Sequence, residues 1–202
     1  MIIGVLAIQG AYRKHQQALD SIGTEHRLVR HPEELSVDGL IIPGGESTTI
    51  TKILQAEQWL DQVIEYAQTH PVFGTCAGAI LLGRQVDSPK VHPWNIIDMA
   101  VFRNAYGRQI HSFIGEISLA HNSRSHQIPG VFIRAPKLTR LGDEVEVLGT
   151  LNGEPVLVRQ KRALASTFHP ELTGDTTVHR YFVETVCRPP SAQLTPEEMK
   201  LP

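Results

Sequence analysis

Only two cysteines occur among the 202 residues, and one of them, Cys76, sits in the frame Gly74-Thr75-Cys76-Ala77-Gly78. The frame lies between an apolar strand-like run and an apolar helix-like run. A sharp strand-to-helix turn crowds its own backbone, so a nucleophile held at its tip must be flanked by small residues. The N-terminus of the following helix favours a thiolate, and its free amides can bind an oxyanion. A free thiol titrates near about 8.5 and needs such help, or a neighbouring base, to attack at neutral pH. A buried structural cysteine fits the same small-residue frame, so the choice depends on the rest of the chain.

A base is available late in the sequence, in Phe168-His169-Pro170-Glu171. A histidine can take a thiol's proton, and a carboxylate can fix its tautomer and orientation. Two residues apart in an extended segment, His169 and Glu171 point the same way. Taken alone, the pair also reads as a surface histidine beside a solvated glutamate. Taken with the turn at Cys76, it predicts a Cys76–His169–Glu171 triad. The other nine histidines have no metal-ligand spacing and no cysteine pair, so no metal and no cofactor is assigned.

Pro43-Gly44-Gly45-Glu46-Ser47 ends one strand-like run and opens a helical one. Paired glycines let the backbone turn its amides to an anion, as in a nest, although an ordinary tight turn has the same composition. Arg103 and Arg108, in RNAYGRQ, and Arg134, in VFIRAP, can each clamp a carboxylate with a planar fork or make a surface ion pair. The chain contains neither a Walker-type loop nor Gly-x-Gly-x-x-Gly, which leaves nucleotide binding without support.

These groups need a scaffold to bring them together. IIGVLAI (2–8) is a continuous apolar run, as expected of a strand buried on both faces. Residues 11–23 have helical spacing and stop at Gly23. EHRLVR and DGLIIP read as further strands. Residues 50–70 read as one long helix with Ser47 to Thr49 as caps. PVFGT is a strand and AGAILLGR a helix. This alternation predicts an α/β protein with a three-layer, mostly parallel central sheet and helices on both faces, flavodoxin-like in organisation. The C-terminal edge of such a sheet is where ligands bind, and both glycine turns fall there. From about residue 97 short β-like runs take over, with a turn at Asn152-Gly153, and predict a mixed extension of the sheet. TTVHRYFVETVC reads as a last helix. The expected organisation is one domain over residues 1–188 and a polar, proline-containing tail over 189–202.

The bulk composition narrows the classes. Hydrophobic residues make up 41% and charged residues 20%, enough for a sizeable core. The net charge is -2 with no basic cluster, which argues against nucleic acid as a partner. No apolar run approaches the roughly 20 residues of a membrane helix, and the N-terminus reads as a first strand rather than a leader. Two cysteines make no disulfide framework, so a cytoplasmic setting is expected.

GVLAIQG, PGGEST, GTCAG, RNAYGRQ, VFIRAP and TFHPEL, in this order, resemble the glutaminase subunits of pyridoxal 5′-phosphate synthase, within the class I (triad) glutamine amidotransferases. The match spans about residues 4 to 174. GTCAG and HPE are common to the class, whereas PGGEST with RNAYGRQ and FIRAP is specific to the vitamin B6 enzyme. The resemblance implies hydrolysis of L-glutamine to glutamate and ammonia, with the ammonia passed to a separate (β/α)8-barrel synthase subunit. By position it implies that Cys76 is the nucleophile and that His169 and Glu171 complete the triad. Gly45, Glu46 and Ser47 would line the glutamine site, and Arg103, Ile133 and Arg134 would bind the rest of the substrate. Backbone amides of Gly45 and Ala77 would hold the oxyanion. Gln9 and Gly10 would lie near the active site and the partner interface. Two other readings remain: a glutaminase serving another synthase, such as one in histidine biosynthesis, and a non-catalytic redox sensor using Cys76. Residues 87–102 and the tail lie outside the clear resemblance.

Overall fold

The computed structural model describes residues 1–103, 112–120 and 126–188. The tail expected over 189–202 lies outside the described residues, as does RNAYGRQ beyond Arg103.

The expected alternation is present. Strand β1 (Ile3–Leu6) leads to helix α1 (Tyr12–Ser21), and β2 (His26–Val29) and β3 (Gly39–Ile42) follow. Helix α1 stops where expected. Gly23 takes φ +68°, and the Gly23 and Thr24 amides donate to the Asp20 and Leu19 carbonyls, which closes the helix in a Schellman cap.

The long helix expected over 50–70 is two helices, α2 (Ser47–Ala56) and α3 (Leu60–Thr69). The break is the same kind of cap with a glutamine in the left-handed position. Gln58 has φ 60°, and the Gln58 and Trp59 amides donate to the Gln55 and Leu54 carbonyls. The turn drives Trp59 into the core at 1% exposure, with its indole N–H donating to Glu57. No glycine or proline marks the spot, so periodicity ran through it. Ser47 is also not a cap: it opens α2 behind Glu46, and no side chain caps that end.

Strand β4 (Val72–Thr75) runs into α4 (Ala77–Leu82). The helix is shorter than expected, because Gly83 and Arg84 already belong to β5 (Gly83–Val86). Strand β5 pairs with β6 (Ile97–Phe102), so β6 joins a second small sheet rather than extending the first. Next come β7 (Phe113–Leu119), β8 (His126–Phe132) and β9 (Lys137–Thr139), the last completing the small sheet in the order β5-β6-β9. Strands β10 (Glu146–Leu151) and β11 (Glu154–Gln160) form the hairpin predicted at Asn152-Gly153. Strand β12 (Ala163–Ser166) and α5 (Thr177–Tyr181) follow, and Phe182–Val186 continues α5 as a π-helical turn.

The main sheet has nine strands in the order β2-β1-β3-β4-β12-β11-β10-β7-β8. The first five are mutually parallel and the remainder are antiparallel, which is the mixed extension expected. Strand alternation divides the core between two faces. Leu40, Ile42, Val72 and Ala165 pack with α2, α3, α4 and the small sheet. Ile3, Val5, Ile41, Phe73 and Leu164 pack with Leu19 of α1 and Val178, Phe182 and Val186 at the C-terminal helix. The parallel strands β1, β3, β4 and β12 all end at one edge. Chain direction alone therefore brings Gln9, Gly44, Cys76 and His169 to the same place.

Candidate active site

Cys76 occupies the tip of the turn between β4 and α4, with φ 47° and ψ −98°. This sparsely populated conformation has to be held by its surroundings. The Cys76 amide donates to Ser166 O at 2.8 Å, and the Ile80 amide donates to Cys76 O at 3.1 Å. The flanking glycines are needed for space. A Cβ on Gly74 would lie 2.5 Å from Gly78 C, and one on Gly78 would lie 2.1 Å from Ile42 O.

His169 follows β12 and makes an isolated antiparallel bridge to Val131, its amide donating to Val131 O at 2.8 Å. Glu171 reaches it by a route other than strand alternation. Residues Pro170–Leu172 form a 3-10 turn, which folds the Glu171 carboxylate back under the ring. His169 Nδ1 and Glu171 Oε1 are 2.7 Å apart, leaving Nε2 for Cys76. Cys76 and His169 meet over Gly44, where a Cβ would lie 2.3 Å from His169 Cε1 and 3.3 Å from Cys76 Cβ. The glycine pair thus provides clearance. Neither Gly44 nor Gly45 takes a positive φ, so the predicted nest geometry is absent.

Electrostatics follow from this packing. Burial works against a charged His169, but its hydrogen bonds to Cys76 and Glu171, and the charges of both, outweigh burial and raise it to about 10. Burial also opposes ionisation of Glu171, yet the His15 and His169 rings overcome it and hold the carboxyl below its usual range.

A cavity of about 390 Å³ opens over the thiol, within the ordinary size range of small-ligand sites. Of the residues expected to bind substrate, Gly45, Glu46, Ser47, Arg103, Ile133 and Arg134 all line it, as do Gln9, Gly10, Cys76 and His169. Ala11, Ile80 and Leu172 line it as well and carried no chemical signal in the sequence. Glu46 and Arg134 pair with each other, Arg134 Nη2 donating to Glu46 Oε1 at 2.8 Å. Arg103 Nε and Ser47 Oγ are buried without a hydrogen-bond partner among the described residues. Gln9 Oε1 accepts the Glu46 amide at 2.8 Å, and Gly44 O accepts the Ala11 amide at 3.0 Å, so the loop after β1 braces the glycine loop. The Gly44 amide is taken by Thr75 Oγ1 at 2.9 Å. Among the described residues, neither the Gly45 amide nor the Ala77 amide is used in another protein hydrogen bond. No cluster of metal-ligating side chains occurs among the described residues, and no helix there is long and apolar enough to cross a membrane.

Three polar residues behind the triad escaped the sequence reading. His15 and His179 are fully buried at 0% exposure, and Thr75, also 0% exposed, joins them. The signal for His15 was faint: it shares one face of α1 with Leu19, where apolar residues are expected.

An α/β sheet with a cysteine elbow and a histidine–carboxylate pair at its C-terminal edge has the architecture of the class I glutamine amidotransferases. A solved structure described as a glutamine amidotransferase is similar at 44% identity and TM-score 0.84, covering 93% of this chain and 99% of that one. The PurLQS structure from Thermotoga maritima shares the fold at 13% identity and TM-score 0.65, covering 91% of this chain and 97% of that chain. Residues 5–188 match the SNO glutamine amidotransferase family, and the chain belongs to that family. Curated relatives include the pyridoxal 5′-phosphate synthase subunit PdxT of Koribacter versatilis (strain Ellin345), 48% identical, covering 92% of this chain and 96% of the relative. The subunit of the same name in Solibacter usitatus (strain Ellin6076) is 46% identical, covering 90% and 97%.

Proposed function

We propose that this chain hydrolyses L-glutamine to glutamate and ammonia through Cys76, His169 and Glu171, as the glutaminase subunit of a pyridoxal 5′-phosphate synthase. The observation that carries the reading is the convergence of thiol and imidazole on one cavity, with a carboxylate bonded to the ring from behind and the unspent Gly45 amide on the cavity wall. The family and the names of its close relatives agree with this.

In this mechanism His169 already carries the proton given up by Cys76, and Sγ attacks the side-chain amide carbon of glutamine. The tetrahedral oxyanion is met by the amides of Gly45 and Ala77, each such donor being worth roughly 3–4 kcal/mol. The C–N bond breaks as His169 passes its proton to the departing ammonia, leaving a γ-glutamyl thioester. Water, deprotonated by His169, cleaves the C–S bond and restores the thiol. Glu171 holds Nδ1–H throughout, so Nε2 does the proton transfer. Glu46 and Arg134, with Arg103, Ile133 and Ser47, recognise the charged end of glutamine.

The ammonia is delivered to a partner synthase subunit of barrel fold, in the cytoplasm. Gln9 and Gly10, which brace the glycine loop from the cavity mouth, are the route by which docking reaches the oxyanion site. Glutamate release by the chain, alone and with the cognate synthase, tests the whole reading. Turnover should rise with the partner and vanish in Cys76→Ala, with the fold retained. Turnover indifferent to the synthase would break the partner assignment, and undiminished turnover in Cys76→Ala would break the triad.

A further inference from the structure

Glu171 is a buried carboxylate with a side-chain exposure of 0%, and only one of its oxygens is hydrogen-bonded. Oε1 faces His169. Oε2 has no hydrogen-bond partner among the described residues and faces His15 Nε2 at 3.6 Å, just beyond hydrogen-bonding length. His15 Nε2 is also 3.3 Å from Thr75 Oγ1, and His15 Nδ1 is 3.0 Å from His179 Nε2.

The proton positions can be worked out from the partners. Burial lowers the basicity of both His15 and His179, His179 to about 3, so each ring is neutral and carries one proton. One proton lies between His15 Nδ1 and His179 Nε2. If His15 supplied it, His179 would have to carry its own proton on Nδ1, a buried atom with no partner. A buried N–H without an acceptor is costlier than a bare lone pair. Moreover, the lone pair of His15 Nε2 would then face the carboxylate oxygen. His179 Nε2–H therefore donates to His15 Nδ1, and His15 carries its proton on Nε2, aimed at Glu171 Oε2 and Thr75 Oγ1.

We propose that His15 is a positioning residue of the glutaminase reaction: its Nε2–H fixes the second oxygen of Glu171, and His179 sets the tautomer that makes this possible. A carboxylate held at one oxygen can rotate about its terminal torsion, whereas one addressed at both holds its plane and the orientation of His169. At 3.6 Å the Nε2–H acts on Oε2 electrostatically, between two side chains of 0% exposure where such an interaction is stronger than in water. Thr75 Oγ1 also accepts the Gly44 amide, so the same ring touches the residue that anchors the glycine loop.

The inference rests on the glutaminase reading, and the experiment separates the two. Steady-state glutamine hydrolysis is measured with the cognate synthase present, for wild type, His15→Met, His15→Asn and His15→Gln. Gln presents an N–H near the Nε2 position. Met fills similar space without a donor, and Asn reaches only the Nδ1 position. Met and Asn should lower kcat at least tenfold with KM within twofold, and Gln should restore kcat to within threefold of wild type. The groups facing Glu171 are His15 from α1 and His169, with Cys76 and His179 one step further away. Because an N–H aimed at the Glu171 carboxylate favours its ionised form, loss of His15 should also move the acid limb of the kcat/KM profile to higher pH. Equal kcat in His15→Met and wild type would overturn the proposal. So would equal impairment of Met and Gln, which would make the ring a packing element, and so would failure of both Met and Asn to fold. A wild-type complex that did not turn over glutamine would remove the glutaminase reading and this inference with it.

Discussion

Lowering the pH from 7 to 5 should cost this protein stability through His179, and His179→Gln should abolish that cost. The ring is 0% exposed, between His15, Phe73 and the start of the last helix. Burial, with the neighbouring His15, depresses it from 6.5 to about 3 despite the opposing charge of Glu171. In the unfolded chain the ring binds a proton as pH falls through 6.5, while in the native state it stays neutral. The unfolded state thus gains protons that the native state does not, and stability falls with pH below 6.5. Between pH 7 and 5 the unfolded ring goes from about one quarter to almost fully protonated, which integrates to about 2 kcal/mol. His15, also depressed, adds a contribution of the same sign. His169 contributes oppositely: raised to about 10, it is protonated in the native state at both pH values. Its unfolded form is only partly protonated at pH 7, so its net effect over this window is a gain of about 1 kcal/mol on acidification. Comparing wild type with His179→Gln cancels these shared contributions, because Gln keeps a donor for His15 Nδ1 but does not titrate. Urea unfolding followed by far-UV circular dichroism at both pH values gives the four free energies. Wild type should lose about 2 kcal/mol more than the variant. Equal losses would mean that the native ring takes up a proton by pH 5, and would refute the dry, neutral histidine pair.

Two other perturbations follow from the geometry. Gly44→Ala places a Cβ 2.3 Å from His169 Cε1. Displacing that ring by about 1 Å should lower kcat for glutamine by around 100-fold or more, with far-UV circular dichroism unchanged. Gln58→Gly relieves an exposed left-handed residue between α2 and α3, and should raise unfolding free energy by about 1 kcal/mol in denaturant titrations without affecting turnover.

Much of this protein is legible in its sequence because its signals are local. Continuous apolar runs such as GVL in β1 and LII in β3 require burial on both faces, and alternation with helices then requires a parallel sheet. Small residues around Cys76 mark a turn too tight for any Cβ. Parallel strands end on one edge, so the glycine loop, the cysteine and the histidine could be assigned to one site before any contact was known. Where a signal was not local, the sequence was silent or misleading. The left-handed Gln58 splits a helix whose periodicity is unbroken, because the burial of Trp59 favours a turn that composition does not announce. Strand β6 pairs with β5 in a separate small sheet, a choice between competing edges. Glu171 joins His169 through a 3-10 turn instead of strand alternation. The first glycine of PGGES, Gly44, turned out to clear space for an imidazole more than 100 residues away, and the second, Gly45, for the side chain of Gln9. Above all, His15, Thr75 and His179 meet behind the triad only when α1, β4 and α5 pack on one face of the sheet. A histidine on an amphipathic helix has no meaning until its neighbours are known, since burial, tautomer and charge are all properties of the surroundings, and tertiary structure alone supplies them.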